Sequence, residues 1–129
     1  MHTGKMCAKN TIHSKNIPFA KSITYLPPEE YFGNTEYKWK LINISNPLKY
    51  QKLATQMKFR LNEGEGRAVY LVGVMDNGQP VGISHEDLYE TILNIRKAVE
   101  IIEAYVYKFH LYRGEGGVIA TMRILQKKK

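Results

Sequence analysis

Residues 56–84, QMKFRLNEGEGRAVYLVGVMDNGQPVGIS, decide the fold. Within them VYLVGVM, residues 69–75, is apolar on both faces, which places it near the middle of a sheet with at least one side covered. Asp76-Asn77-Gly78 offers Asn-Gly as a tight turn, and a short returning strand is expected from Val81 to Ile83. Before the strand, the Gly-Glu-Gly at 64–66 closes a helix, with Gly64 expected at the position that needs a left-handed residue.

Upstream, Tyr50, Leu53, Ala54, Met57 and Leu61 recur at helical spacing and form one apolar stripe, with Lys49, Lys52, Gln56 and Arg60 expected on the solvated side. Asn46-Pro47 supplies the N-cap and a proline at the first helical position. EYKWKLINIS, residues 36–45, alternates Tyr37, Trp39 and Leu41 with Lys38 and Lys40, the pattern of a half-buried strand. Downstream, Ser84 with Asp87 resembles a capping box. It opens a second helix carrying Leu88, Ile92, Ile95, Val99 and Ile102 on one stripe.

AYVYKFHLY, residues 104–112, and VIATMRIL, residues 118–125, form a hairpin around the glycines at 114, 116 and 117. Both apolar stripes need the same sheet. The predicted fold is therefore an α+β two-layer sandwich, with a mixed five-stranded sheet and two helices on one face, in the order β-α-β-β-α-β-β, Alba-like or ferredoxin-like. The uncovered face is expected to show Lys38 and Lys40 or their neighbours. It should also carry alternate residues of either the Tyr105, Tyr107, Phe109 set or the Val106, Lys108, His110 set, and alternation alone does not choose between them.

A chain of 129 residues with 43% apolar content suits one domain. Residues 26–126 are assigned to it, residues 1–25 to an extended basic arm, and residues 127–129 to a basic tail. No apolar run is long enough for a membrane span or a signal peptide, so a soluble, cytoplasmic protein is expected, and it is taken to be a monomer. The single cysteine, Cys7, has no partner for a disulfide.

The net charge of +7 is unevenly placed. Lys5, Lys9, Lys15 and Lys21 lie in an acid-free stretch, and Lys127, Lys128 and Lys129 end the chain. The remaining 12 basic residues and all 12 acids share the body, which is formally neutral. Basic arms on a neutral body fit a polyanion, because each lysine near a phosphate releases a condensed counterion. The candidate RNA-binding residues are these seven lysines together with Lys49, Lys52, Lys58 and Arg60. The nine tyrosines add rings that can stack on bases, although most are needed as core.

Nucleotide motifs do not fit. Gly4-Lys5 is followed by Met6 and has no upstream glycine, so it is not a P-loop. Gly64 and Gly66 lie between a helix and the strand it enters, the reverse of a dinucleotide fingerprint. His2, His13, His85 and His110 lack metal-ligand spacing, and no metal or other cofactor is expected. Glu63, Glu65 and Asp76 could serve a metal-dependent nuclease only if they converged, and helix-end and turn roles suit them better.

The pattern TQMKxRLxEGxGxAVYxxGVxDNGxxVG, residues 55–82, resembles the N-terminal domain of the elongation-factor-like translational GTPases called GTP-binding proteins one and two. Leu26, Pro27, Pro28 and Glu29, with Gly33, Asn34, Glu36, Tyr37, Lys38 and Leu41, resemble the same family's entry strand, so the similarity covers roughly residues 26–103. The resemblance does not extend to the GTPase domain of that family, and no GTP binding is expected. A free-standing domain of this kind is similar to the ribosome dormancy factors of microsporidia. That resemblance implies a ribosome hibernation factor contacting ribosomal RNA and proteins, occupying a tRNA position at the exit site, and inhibiting translation sterically without catalysis. The shorter likeness of GVxDNGxxVG to Schlafen-type, Alba-like domains keeps an RNA-processing nuclease as an alternative. A protein-interaction module that docks a translational GTPase is another.

Overall fold

The computed structural model describes residues 21–128. Its elements are β1 (Thr35–Lys38), α1 (Pro47–Glu63), β2 (Arg67–Val72), α2 (His85–Ile101), β3 (Ala104–Arg113) and β4 (Val118–Gln126). They form an α+β domain with a four-stranded mixed sheet in the order β1-β2-β4-β3. β1 runs parallel to β2, and β4 lies antiparallel to both β2 and β3. Among the described residues, no helix is long and apolar enough to cross a membrane.

Both helices begin where the sequence dictates. The Asn46 side chain accepts from the Leu48 amide and that of Ser84 from the Asp87 amide, each satisfying one otherwise orphaned first-turn donor. Leu53, Ala54, Met57 and Leu61 of α1, with Leu88, Ile95, Ala98 and Val99 of α2, bury against Ala68, Tyr70 and Val72 of β2 and Val118, Ala120, Met122 and Ile124 of β4. Alternate residues of the two central strands thus meet both helical stripes on one face of the sheet.

Three expectations change. Residues 81–83 form no fifth strand, because both edges of β2 are already taken, by β1 and by β4. The Met75–Gly78 turn does form, but the chain leaving it makes scattered backbone bonds, such as the Gly82 amide to the Gly73 carbonyl and an Ile83 bridge to Val118, and no ladder. β1 ends at Lys38 instead of running to Ser45. Beyond it the Leu41 amide donates to the Thr91 hydroxyl and the Leu41 carbonyl accepts from the Asn94 amide, so this stretch is held by α2 and not by the sheet. Gly64 is not left-handed, with φ −102°. Its need is for space, since a Cβ there would strike the Arg67 carbonyl and the Asn34 side chain. Glu65 and Gly66 take the positive φ values instead.

The opposite face of the sheet is only half covered. Ile23 and Leu26 pack on Tyr37, Leu71, Val74, Tyr112 and Ile119, forming a second small core. The Ile23 amide donates to the Arg113 carbonyl and the Leu26 amide to the Gly78 carbonyl. Residues 21–25, assigned from sequence to the arm, therefore already belong to the folded domain.

Candidate nucleic-acid interface

α1 presents Lys49, Lys52 and Lys58 to solvent. Lys58 reaches the Gln126 side chain at 3.4 Å, which brings it to the end of β4 where the exposed Lys127 and Lys128 emerge. Lys49 and Lys58 stand about 14 Å apart along the helix, from a rise of 1.5 Å per residue. The helical layer also carries Glu63, Glu86, Glu90 and Glu100, so its charge is mixed. Lys21 is exposed, and its carbonyl accepts from the Arg113 amide at the end of β3. Lys5, Lys9, Lys15 and Lys129 lie outside the described residues.

Arg60 is not on the solvated side. It is 4% exposed and its guanidinium is fully engaged. Nε donates to Glu36 Oε1 at 2.8 Å, Nη1 to the Gly33 carbonyl at 2.7 Å and the Tyr31 carbonyl at 3.1 Å, and Nη2 to the Glu30 carbonyl at 2.9 Å. Glu29 lies 3.6 Å from Nη2. This arginine ties α1 to the chain entering β1 and neutralises Glu36, itself 4% exposed; four of its five N–H groups are hydrogen-bonded and Nη2 also faces Glu29, so it is buried and committed rather than presented to an RNA phosphate. Its spacing gave the signal: Arg60 stands seven residues after Leu53 and three after Met57, on the buried stripe.

Burial pushes the Glu29 carboxyl above its ordinary value, against the Tyr37 amide, which donates to it at 2.6 Å; nearby Glu36 and Asp76 push the same way as burial. The Tyr70 hydroxyl is driven far above its usual range by desolvation, with Glu36 adding to the effect, and so stays neutral.

Glu63 and Asp76 sit beyond opposite ends of β2, whose six residues span about 20 Å. Glu63 accepts from the Gly33 amide at 2.9 Å, a role in joining helix end to entry strand. Among the described residues no group of three or more His, Cys, Asp or Glu side chains comes together to hold a metal ion.

The surface that sequence reasoning left undecided is the uncovered half of the sheet. A β-bulge between Val106 and Lys108 resets the alternation of β3. Val106 pairs with buried Ile124 on the helix side, whereas Lys108 pairs with exposed Arg123 on the open side. Tyr105, opposite Leu125, is already on the open side, and Tyr107 lies under the Arg67 guanidinium, 5.7 Å from its ring centre. Members of both alternation sets therefore share one face, an outcome no strict period of two allows. Lys38 and Lys40 are not part of this face: Lys38 pairs with Glu36 at 3.5 Å and Lys40 with Asp87 of α2 at 3.2 Å.

These observations define the class: an α+β domain with basic side chains on its helical layer, on one uncovered half of its sheet and at the end of its last strand. No protein-family model matches the chain. Over 85 residues, 66% of its length, it is 45% identical to GTP-binding protein 2 of mouse and of human, and this stretch is homologous to a part of that protein. The match covers 14% of each of those relatives. An uncharacterised protein of Acanthamoeba polyphaga mimivirus is 32% identical over 108 residues, 83% of this chain and 57% of the relative.

Proposed function

We propose that the protein is a ribosome-bound hibernation factor that occupies a tRNA position, the exit site, and blocks translation by steric exclusion without catalysis. The observation that supports this most is the 45% identity to part of GTP-binding protein 2, in the region whose motif resembles elongation-factor-like translational GTPases. A domain shared with such proteins is suited to the ribosome, and the lysines at both ends of this chain add affinity for a polyanion. In this reading the partners are ribosomal RNA and ribosomal proteins, the protein acts in the cytoplasm as a monomer, and it needs neither nucleotide nor metal. The nuclease alternative has less support, because Glu63 and Asp76 are held apart by the length of β2.

Salt-dependent co-sedimentation with purified ribosomes tests the proposal. With six to ten phosphate contacts, binding should weaken by about 10³-fold or more between 50 and 200 mM salt. Absence of binding at low salt, or binding indifferent to salt, would refute it.

A further inference from the structure

The uncovered half of the sheet gathers features that the functional reading above does not use. Arg67, Lys108 and Arg123 are exposed on it, and the four strands contain one acid, Glu36, which is buried on the helix side with Arg60. The local charge is therefore +3, uncompensated within the strands, in a body that is formally neutral. Among these cations stand Tyr105, 42% exposed, and Tyr107, 39% exposed, carried by the edge strand β3. His110 is exposed further along the same strand on the open side. Lys127 and Lys128 leave β4 just past Leu125 and extend the basic track from the Arg67 end of the face.

We propose that this face binds single-stranded RNA, with bases stacking on Tyr105 and Tyr107 and phosphates held by Arg67, Lys108 and Arg123. Two tyrosines two residues apart on a strand are separated by about 7 Å, a step that splayed nucleotides span and the bases of a duplex, stacked inside it, do not offer. Tyrosine presents a π-face that accepts any base, and the Arg67 guanidinium, which lies over one face of Tyr107 and donates to its hydroxyl at 3.4 Å, supplies charge there and leaves the other face for a base. An acid-free, cationic and aromatic surface complements a polyanion with exposed bases. An apolar protein partner would meet three cations there that have no acidic partner among the described residues. The bulge serves this arrangement, because without it Tyr105 and Lys108 would face opposite sides of the sheet.

The inference rests on the reading of the protein as an RNA-bound factor, and it is tested without ribosomes. Fluorescence anisotropy with a labelled 12-nucleotide single-stranded RNA of mixed sequence is measured for the full chain, the Tyr105→Ala/Tyr107→Ala pair and the Tyr105→Phe/Tyr107→Phe pair. The alanine pair should weaken binding about 5-fold or more per ring, whereas the phenylalanine pair should stay within about 2-fold of the parent. The same sequence as a duplex should bind more weakly than the single strand. Equal binding of alanine and parent proteins of matched thermal stability, or of duplex and single strand, overturns the inference. So does loss of oligonucleotide binding altogether, which would turn the face toward a protein partner. Ribosome co-sedimentation of the parent chain, set beside oligonucleotide binding by the alanine pair, separates the two ideas. Failure of the parent chain to co-sediment strikes the functional reading alone, and unchanged oligonucleotide binding by the alanine pair strikes the stacking face alone.

Discussion

Replacing Arg60 with methionine should unfold the protein under conditions where the parent is stable. The substitution keeps much of the stem volume on the buried stripe but removes the guanidinium. Glu36 is then left buried beside Lys38 at 3.5 Å, without its 2.8 Å partner, and the carbonyls of Glu30, Tyr31 and Gly33 lose their donors. Breaking a buried pair by deleting one member costs about 3–5 kcal/mol, because the surviving charge keeps its desolvation penalty. For a domain near 100 residues, each kcal/mol lowers Tm by roughly 4–8 °C, so the midpoint should fall by about 12 °C or more. Thermal and urea unfolding followed by circular dichroism measure this. Arg60→Lys should fall between parent and methionine variant, since it keeps the charge but not the fork that reaches Glu36 and three carbonyls together. Adding Glu36→Gln to Arg60→Met should cost less than the sum of the single changes, since the orphaned charge is gone. A loss below about 1 kcal/mol for Arg60→Met would refute the structural role. So would a variant of parental stability that bound RNA poorly, because that would return Arg60 to the interface.

Other expectations follow from the same geometry. Gly78→Ala places a side chain at φ 94° and against the Leu26 carbonyl, so it should cost about 2 kcal/mol or more by urea unfolding; a neutral effect would contradict the docking of residues 22–28. Because burial raises the Glu29 pKa above 4.5, the native state binds that proton more tightly than the unfolded chain does. Stability relative to Glu29→Gln should therefore fall as pH rises from below 4.5 through the raised value, and then level off; a difference independent of pH would contradict the assignment. Removing residues 1–20 should reduce the salt slope of ribosome binding by about 2–3, from loss of Lys5, Lys9 and Lys15; an unchanged slope would place recognition in the body. Removing residues 1–26 should also lower stability by about 2 kcal/mol, because Ile23 and Leu26 are part of the second core; unaltered unfolding would contradict that packing.

Much of this architecture was legible in the chain. Both helices stand where their stripes and caps place them, at Asn46-Pro47 and Ser84, and the β3–β4 hairpin follows from its glycine turn. The missing fifth strand was not legible, because whether Val81 to Ile83 can pair depends on which strands already occupy the edges of β2. Those neighbours come from residues 35–38 and 118–126, far away in sequence. Arg60 was misplaced for another reason. Its charge suggested solvent, while its position on the stripe required burial, and Glu36, 24 residues earlier, resolves that conflict in favour of burial. The open face was hidden by a single extra residue in β3, since one bulge moves Lys108 onto the side of Tyr105. Of the lysines expected to meet RNA, Lys21, Lys49, Lys52, Lys58, Lys127 and Lys128 are exposed, but Arg67, Lys108 and Arg123 were not singled out. Three scattered cations carry no motif; their clustering arises from strand register.

The most direct test of the central claim is a density map of ribosomes carrying the full chain. The domain should overlap a tRNA position, at the exit site, with Arg67, Tyr105 and Tyr107 turned toward ribosomal RNA. Density for the domain clear of every tRNA position, or no density on ribosomes saturated with the protein at low salt, would contradict it.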